Sequence, residues 1–276
     1  MPRVLLTNDD GIDAQGLNAL GRALAALQEV ELAVIAPDGN RSAIARSITF
    51  SRPLWVEEVA FDDGGVGYAC DGTPVDCVRL AALGLIEGFS PDVIVSGINH
   101  GSNLGDDITY SGTVAAALEG VVLGIPGIAV SQQAQRMREL TLRPGREFDF
   151  STAAAFTARV VERLDDVPLP QGTLLNVNVP RGEVAGVEVA RLGKRVYRDR
   201  LDLVDEQSGR RQFRIYGDSP VHDDEIGTDL WAVSAGRIAV TPLHFDLTAE
   251  HGLDELRAYD LARLLEPAER EARRSR

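Results

Sequence analysis

Two adjacent aspartates, Asp9 and Asp10, directly follow a short apolar run near the start of the chain. Adjacent carboxylates repel each other, and each resists burial without a partner. A hard divalent cation such as Mg²⁺ or Mn²⁺ relieves that repulsion, because carboxylate and neutral oxygen atoms are its favoured ligands. The pair therefore indicates a metal site, although Asp-Asp-Gly is also an ordinary turn in which an acidic residue caps the next helix.

Further amide and hydroxyl side chains follow two other apolar runs. Asn40 and Ser42 come after the second run, and Asn99 and Asn103 come after a third at 93–96. In an open parallel sheet, ligands bind beyond the carboxyl ends of the strands. We therefore expect these side chains to converge on the aspartates, which favours a site over three unrelated turns.

A phosphate cradle is indicated where Ser111, Gly112 and Thr113 stand at the start of a predicted helix. Hydroxyl groups and unpaired N–H groups at a helix N-terminus bind phosphate, and glycine lets an anion approach closely. Gly105, in the Gly- and Asn-rich stretch just before, extends this pattern. Plain N-capping explains the same helix start. His100 lies in that stretch too, and it either touches substrate or has an ordinary packing role.

The elements that must position these residues alternate between strand and helix from residue 3 to about 130. Apolar runs predict buried strands, and helical spacing predicts helices, in the order strand 3–7, helix 14–27, strand 30–36, helix 74–85, strand 93–96, helix 113–123 and strand 128–130. Such alternation is typical of a Rossmann-like α/β fold with three α/β/α layers, in which helices cover both faces of a mainly parallel sheet.

The rhythm changes after Gln132. A helix is predicted at 150–164 and a strand at 174–179, and the runs at 230–235 and 237–241 predict a strand pair. The extended region at about 187–225 has no hydrophobic stripe, so it is either a polar surface hairpin or an arm that packs on a second subunit.

From about residue 253 the spacing of Leu256, Leu261 and Leu264 predicts an amphipathic helix, which Pro267 ends or kinks. We expect residues 1–276 to form a single domain. Residues 1–132 would carry the active site, and the arm and the C-terminal segment 253–276 would project from it.

Composition narrows the class of protein. The formal charge of −14 argues against a long nucleic acid as partner, whereas a small anionic substrate is compatible with an intervening cation. Lys194 is the single lysine and is followed by Arg195, so there is no P-loop, and the dinucleotide fingerprint and the Gly-x-Ser-x-Gly elbow are absent too. Two cysteines, no secretory signal and no long apolar stretch lead us to expect a soluble cytoplasmic protein without a membrane partner.

Several motifs in fixed order closely resemble the SurE survival-protein family of nucleotidases. They are Leu5-Leu6-Thr7-Asn8-Asp9-Asp10-Gly11-Ile12, Ala36-Pro37-Asp38-Gly39-Asn40-Arg41-Ser42, Gly72-Thr73-Pro74-Val75-Asp76-Cys77, Ser96-Gly97-Ile98-Asn99-His100-Gly101, Asn103-Leu104-Gly105-Asp106-Asp107 and Tyr110-Ser111-Gly112-Thr113-Val114-Ala115-Ala116-Ala117. The match is strong from residue 3 to about 130 and weaker beyond it.

The resemblance implies a metal-dependent phosphatase that acts on nucleoside 5′- and 3′-monophosphates. It places one divalent cation per subunit, Mg²⁺ or Mn²⁺ with Ca²⁺ also able to occupy the site, on Asp9, Asp10, Ser42 and Asn99. It also implies a homodimer or a homotetramer with exchanged C-terminal elements.

Our hypothesis for the mechanism is direct hydrolysis. The cation would coordinate a phosphate oxygen and lower the pKa of a bound water, and Asp9 or Asp10 would take the proton of that water. The remaining phosphate oxygens would lie against Asn40, Asn103, Gly105, Ser111, Gly112 and Thr113.

Three alternatives stay open at this point. A phosphatase with a covalent aspartyl-phosphate on Asp9 normally has Asp-x-Asp spacing and a phosphate-facing lysine, which this sequence lacks near Asp9. A receiver-like signalling module also carries paired acids after its first strand, but 276 residues is long for one. A nucleotide-binding protein without turnover would present the same motifs.

Overall fold

The structure is a computed structural model, and it describes residues 1–62, 64–134, 148–196, 201–215, 221–222, 225–259 and 261–265. The chain divides into two compact units, Met1–Phe245 and Asp246–Arg276. Within the described ranges, no helix combines the length and the apolar character that a membrane crossing requires.

The first unit is built on a large sheet to which nine described strands contribute. Across the sheet, the order is β3 (Val56–Ala60), β4 (Val66–Cys70), β2 (Glu31–Pro37), β1 (Arg3–Thr7), β5 (Val93–His100), β6 (Gly127–Gln132), β7 (Thr173–Val179), β13 (Arg237–His244) and β8 (Gly186–Val189). The strands from β4 to β7 run parallel, whereas β3 and β13 pair antiparallel with β4 and β7. The predicted mainly parallel α/β sheet is confirmed.

Helices cover both faces of this sheet. One face carries α1 (Gln15–Ala25) and α4 (Ser151–Glu162), and the other carries α2 (Pro74–Ala82) and α3 (Gly112–Val122). Successive residues of β1 point to opposite faces, so Val4 and Leu6 pack in the first layer while Leu5 packs in the second. This is the three-layer α/β/α arrangement that the alternation of elements predicts.

Local sequence explains how two of these helices begin. In α2, the Thr73 hydroxyl accepts the Asp76 N–H, the Asp76 carboxylate accepts the Thr73 N–H, and Pro74 occupies the first turn. In α3, the Ser111 hydroxyl accepts the N–H of Val114. Both caps fix the direction in which a helix N-terminus points.

The strand predicted at 230–235 is wrong. This segment forms the short helix α5 (Asp229–Ser234), because the Thr228 hydroxyl caps it by accepting the Trp231 N–H at 3.2 Å. Leu230 and Val233 are buried one helical turn apart. The following strand, β13, pairs with β7 instead of with its predicted partner.

The region at 187–225 contains the predicted hairpin. Strands β10 (Asp202–Gln207) and β11 (Arg210–Arg214) pair antiparallel, and β9 (Arg195–Val196) pairs with β12 (Val221–His222). Residues 197–200, 216–220 and 223–224 lie outside the described residues. The exchange of this arm between subunits stays a prediction.

The second unit contains α6 (Glu250–Ala258) and a 3₁₀ helix over Leu261–Leu265. The continuous amphipathic helix predicted from 253 is therefore wrong in extent, because the α-helix starts earlier and ends at Ala258. Leu256 and Leu264 are exposed. Pro267 and the rest of the tail to residue 276 lie outside the described residues.

Candidate active site

The candidate site forms where three neighbouring parallel strands end. Strand β1 lies between β2 and β5, and Thr7 at its end is in register with Ser96 of β5. The aspartates follow β1, the 38–49 loop follows β2, and the last residues of β5 are Asn99 and His100. This shared edge is why residues so far apart in sequence lie close together.

The turn after β1 is built by the Asn8 side chain. Its Nδ2 donates to the Gly11 carbonyl at 2.9 Å, and its Oδ1 accepts the Gly11 N–H at 3.1 Å. Gly11 has a φ of +108°, and a Cβ there would come 3.0 Å from the backbone of Gly39 in the turn after β2. The capping interpretation of the aspartates is wrong, since the N-cap of α1 is Ala14, which makes no side-chain cap.

Asp10 connects all three strand ends. Its Oδ1 accepts a hydrogen bond from Asn40 Nδ2 at 3.0 Å, and its Oδ2 accepts the backbone N–H of His100 at 3.1 Å. Asn40 in turn accepts the Ser42 N–H at 2.9 Å. The contribution of His100 that the structure shows here is its main chain, whereas the sequence analysis considered its ring.

Asp9 connects the end of β1 with the start of α3. Its Oδ1 accepts a 2.5 Å hydrogen bond from the Thr113 hydroxyl, and its carbonyl accepts the Arg41 N–H at 2.7 Å. A Cβ on Gly112 would lie 2.7 Å from the Asp9 Cβ, so only glycine fits at that position. The carboxylate thus sits against the N-terminus of α3, where the helix dipole favours negative charge.

Both carboxylates are held in surroundings that disfavour their charge. Burial raises the pKa of Asp9 to about 6; the hydrogen bond from Thr113 opposes that rise and the neighbouring Asp10 charge adds to it. Burial likewise raises the pKa of Asp10, against the hydrogen bonds from His100 and Asn40. Among the described residues, no lysine or arginine forms an ion pair with either aspartate.

This donor set fits a hard divalent cation. Two repelling carboxylates without a basic partner gain most from a cation, and Ser42 and Asn99 offer neutral oxygens at the same edge. Asn99 donates its Nδ2 to the Gly101 carbonyl at 2.8 Å, which leaves Oδ1 as the available oxygen of that amide. In the described part of the chain, no three His, Cys, Asp or Glu residues form a metal cluster, so neutral ligands and water must complete the shell.

The residues predicted to hold phosphate fall into two groups. Asn40, Ser111, Gly112 and Thr113 lie around the aspartates, although the Thr113 hydroxyl and the Asn40 amide both donate to them. The Ser111 hydroxyl accepts the Val114 N–H, so its own hydrogen stays available for a ligand.

The hydrogen bonds of Asn103 and Gly105 run elsewhere. Asn103 Nδ2 donates to Ser131 Oγ at 2.8 Å, and its N–H donates to Asn178 Oδ1 at 2.8 Å. The Gly105 N–H donates to Asp229 at 2.8 Å. These contacts fix the 101–105 segment on β6, β7 and α5, so the Gly105 amide does not serve as a free phosphate donor.

Two buried acids that were not predicted as site residues organise these loops. Asp229 accepts the N–H groups of Gly105 and Gly193, and Glu119 of α3 faces Arg46 and Arg79. Glu119 carried a signal, since it is the one acidic residue in an otherwise small and apolar helical run. Asp229 carried no such signal, because Gly105 and Gly193, whose loops it holds, are 124 and 36 residues away in sequence.

Fold and site together define an α/β protein with a carboxylate-lined candidate site at the carboxyl edge of a parallel sheet. A family model described as survival protein SurE matches residues 4–199. The chain belongs to the SurE family and is an enzyme of that family, as the motifs predict.

Individual relatives agree with this assignment. A 5′-nucleotidase SurE of Rubrobacter xylanophilus is 55% identical over 95% of this chain and 99% of its own length. One from Chloroflexus aggregans is 44% identical over 93% and 98%. The crystal structure of the SurE protein from Aquifex aeolicus superposes with a TM-score of 0.77 at 38% identity, covering 94% of this chain and 99% of that one.

Proposed function

We propose that this enzyme hydrolyses nucleoside 5′-monophosphates to nucleoside and phosphate, with a divalent cation held by Asp9, Asp10, Ser42 and Asn99. The relatives named 5′-nucleotidase SurE support the reaction, because they match nearly the whole chain. A bound cation is supported by the pair of adjacent, largely buried carboxylates, which lack a basic partner within the described residues. When bound, the cation supplies positive charge that polarises the phosphoryl group and lowers the pKa of water.

The protein's own contribution to phosphate binding is the start of α3. Ser111 offers its hydroxyl hydrogen, and the N-terminal amides of the helix lie beside Asp9. Gly112 adds no side chain, which lets an anion come close to these amides. The positive end of the helix dipole then favours the negative charge of the phosphate.

The remaining residues orient the two aspartates. The Thr113 hydroxyl fixes Asp9, while Asn40 and the main chain of His100 fix both oxygens of Asp10. One of these two carboxylates takes the proton of the attacking water. Because hydrogen bonds already hold both carboxylates in position, they need to move little when charge shifts on the phosphoryl group.

The same arrangement supports hydrolysis of nucleoside 3′-monophosphates. The side chains and amides assigned to the substrate are those that would hold the phosphoryl group, and the chemistry at phosphorus is the same for either ester. We also propose a cytoplasmic homodimer or homotetramer that exchanges the arm and the C-terminal segment. Support comes from apolar side chains exposed on the arm, Leu203, Val204 and Phe213.

A covalent aspartyl-phosphate on Asp9 is less well supported than direct hydrolysis. The Asp9 side chain is buried, one of its oxygens accepts the Thr113 hydroxyl, and Gly112 packs against its Cβ. A covalent route would need the other oxygen, Oδ2, to reach the phosphorus while the carboxylate stays in these contacts.

The proposal is tested by a phosphate-release screen of nucleoside 5′- and 3′-monophosphates. The purified protein is assayed with Mg²⁺, Mn²⁺ and Ca²⁺, and with EDTA as control. We expect release only with a cation, and no acid-stable phosphoprotein after quenching. Binding of nucleotide without release under every cation would contradict the proposal, and a phosphorylated Asp9 would replace direct hydrolysis by the covalent route.

A further inference from the structure

A buried acid lies beneath the loop that carries Asn40 and Ser42. Glu119 on α3 is fully buried, and its Oε2 accepts hydrogen bonds from Arg46 Nε at 3.2 Å and Nη2 at 2.6 Å. Arg79 of α2 places Nη2 2.6 Å from Oε1. The Arg79 contact lacks hydrogen-bond geometry, since Oε1 has no hydrogen-bond partner among the described residues. Arg46 is therefore the better-oriented partner of the two.

Arg46 belongs to the 38–49 loop, whereas Arg79 does not. The first part of this loop is fixed beside the site, because the Arg41 N–H donates to the Asp9 carbonyl. The last residue of the loop, Thr49, is held by Asp76, which accepts hydrogen bonds from both its N–H and its hydroxyl. Between these two ends, the Arg46 side chain contacts Glu119, the Ala45 N–H donates to the Tyr110 carbonyl, and the Ser47 carbonyl accepts the Thr73 hydroxyl at 2.8 Å. Of these contacts, only that of Arg46 reaches a charged group.

The backbone between Ser42 and Arg46 is strained. Ala43 has a φ of +59° and Ala45 a φ of +55°, a left-handed region that residues with a side chain adopt only at a cost. Such conformations persist where the surroundings impose them. The Ala45 N–H donates to the Tyr110 carbonyl at 3.2 Å, directly before Ser111.

The Arg46 side chain is held from two sides. Its guanidinium carbon lies 4.7 Å from the centre of the Phe245 ring, within the range of a cation–π contact. Glu119 accepts from two of its nitrogens, Nε and Nη2, and the side chain remains about one-third exposed. The guanidinium is thus paired with a carboxylate and stacked near an aromatic ring at the same time. Such a side chain restrains the main chain from which it extends.

We propose that Arg46, oriented by Glu119, is a positioning residue that holds the strained 42–46 segment and thereby positions Ser42, a proposed ligand of the cation, and Asn40, which orients Asp10. The proposal rests on the proposed function, because the cation site is part of it. Glu119 sits two turns into α3, the helix whose first turn contacts Asp9. The ion pair therefore ties the loop to the element that holds the other half of the site.

Arg79 provides a matched control. It pairs with the same carboxylate and has a similar exposure, 42% against 32% for Arg46, but it lies on α2 and not on the loop. Arg46→Met and Arg79→Met each remove one cation from Glu119 while keeping an apolar stem. If weakening the buried ion pair were by itself enough to speed amide exchange or lower Mn²⁺ affinity, both variants should show the effect.

The test compares these variants with wild type by hydrogen–deuterium exchange of peptides covering 38–49 and by calorimetric titration with Mn²⁺. In Arg46→Met we expect faster exchange of the Arg41, Ser42 and Ala45 amides and Mn²⁺ affinity lowered about tenfold, a size common for residues behind a metal ligand. In Arg79→Met, both quantities should stay within about twofold of wild type. Arg46→Lys, which keeps the charge but not the two-donor contact, should fall between them.

Equal changes in the two methionine variants, or unchanged exchange and affinity in Arg46→Met, would overturn the proposal. If Arg46→Met does not fold, the matched pair Arg46→Lys and Arg79→Lys is compared instead, and faster loop exchange with weaker Mn²⁺ binding is expected only in Arg46→Lys. Wild type that binds no Mn²⁺ and releases no phosphate would refute the proposed function instead. The exchange comparison would still decide whether Arg46 restrains the loop.

Discussion

The Thr113 hydroxyl donates a 2.5 Å hydrogen bond to Asp9 Oδ1, across 104 residues of sequence. This contact joins the carboxyl end of the central strand to the first turn of α3. It gives the buried carboxylate a fixed orientation that the Asp-Asp-Gly turn alone would not impose. Thr113, assigned to phosphate from its sequence position, thus has a direct structural task at the aspartate.

Replacing Thr113 by valine should lower kcat/KM for nucleotide hydrolysis by about 10- to 100-fold, the usual cost of removing a group that orients a metal ligand. Valine keeps the branched shape and removes the hydroxyl. Thr113→Ser is the control, because it retains the donor and should keep most of the activity. Phosphate release from AMP measures both, and equal activity of the two variants would argue against this role.

Gly112→Ala should lower activity by displacing Asp9. The new Cβ would lie 2.7 Å from the Asp9 Cβ, a distance at which one of the two groups must move. Gly252→Ala in α6 is a matched control, because its Cβ meets its nearest neighbour at 3.6 Å. The measurement is phosphate release at a temperature where both variants are folded by circular dichroism. Full activity of Gly112→Ala would show that the close packing is not required.

The cation-free enzyme should gain stability when Asp9 is replaced by asparagine. Burial raises the folded-state pKa of Asp9 from 3.8 to about 6, so the folded state binds the proton more tightly than the unfolded state. The stabilisation of the folded state by this tighter proton binding is fully present below pH 3.8 and is lost as the pH rises through about 6. At pH 8 with EDTA, Asp9→Asn should therefore melt above wild type in a thermal scan.

Adding Mg²⁺ should reverse that order, because a cation that binds only the folded state raises the melting temperature of wild type. Asp9→Asn, with a weakened site, should show little cation-dependent shift. A wild-type melting temperature that is insensitive to Mg²⁺ and Mn²⁺ would speak against a cation at this pair.

Asp76→Asn should destabilise the fold by about 1–3 kcal/mol at pH 7, because a buried charged acceptor loses its hydrogen bonds. Burial alone would raise the pKa of Asp76, but hydrogen bonds from Thr49 and Thr73 bring it below the ordinary value. A lowered folded-state pKa contributes stability above the unfolded value, and that stability is lost as the pH falls through the folded value. The difference from wild type in urea unfolding should thus shrink as the pH falls below 3.8.

Asp92→Asn is the control for that experiment. It breaks an exposed pair with Arg3 on the surface, where ion pairs contribute little to stability. Its unfolding curve at pH 7 should lie close to that of wild type. A loss of unfolding free energy as large as that of Asp76→Asn would show that the buried helix cap contributes no more to stability than the exposed ion pair.

The sequence supports the main features of the site because they are local. Asp9, Asp10, Asn40 and Ser42 each lie in the turn or loop that follows an apolar run, and the geometry of a parallel sheet brings such positions to one edge. The start of α3 was also predictable, since Ser111 is a standard cap. Knowledge of strand order was not needed for either inference.

What the sequence did not reveal depends on partners that are distant along the chain. The Gly105 amide is occupied by Asp229, 124 residues away, and Glu119 reaches Arg46 over 73 residues. Residue spacing along the chain does not predict such long-range contacts. The strand predicted at 230–235 failed for a related reason, because a short apolar run fits a buried helical turn as well as a strand, and only the cap by Thr228 decides between them.

The most direct test of the two-carboxylate site is phosphate release from AMP by wild type and Asp10→Asn across a Mg²⁺ or Mn²⁺ titration. We expect wild type to be active only with cation, and Asp10→Asn to lose more than about a hundredfold in kcat/KM, since a ligand matters more than the groups behind it. Near-normal, cation-dependent turnover by Asp10→Asn would contradict the site, as would full wild-type activity in thoroughly chelated protein.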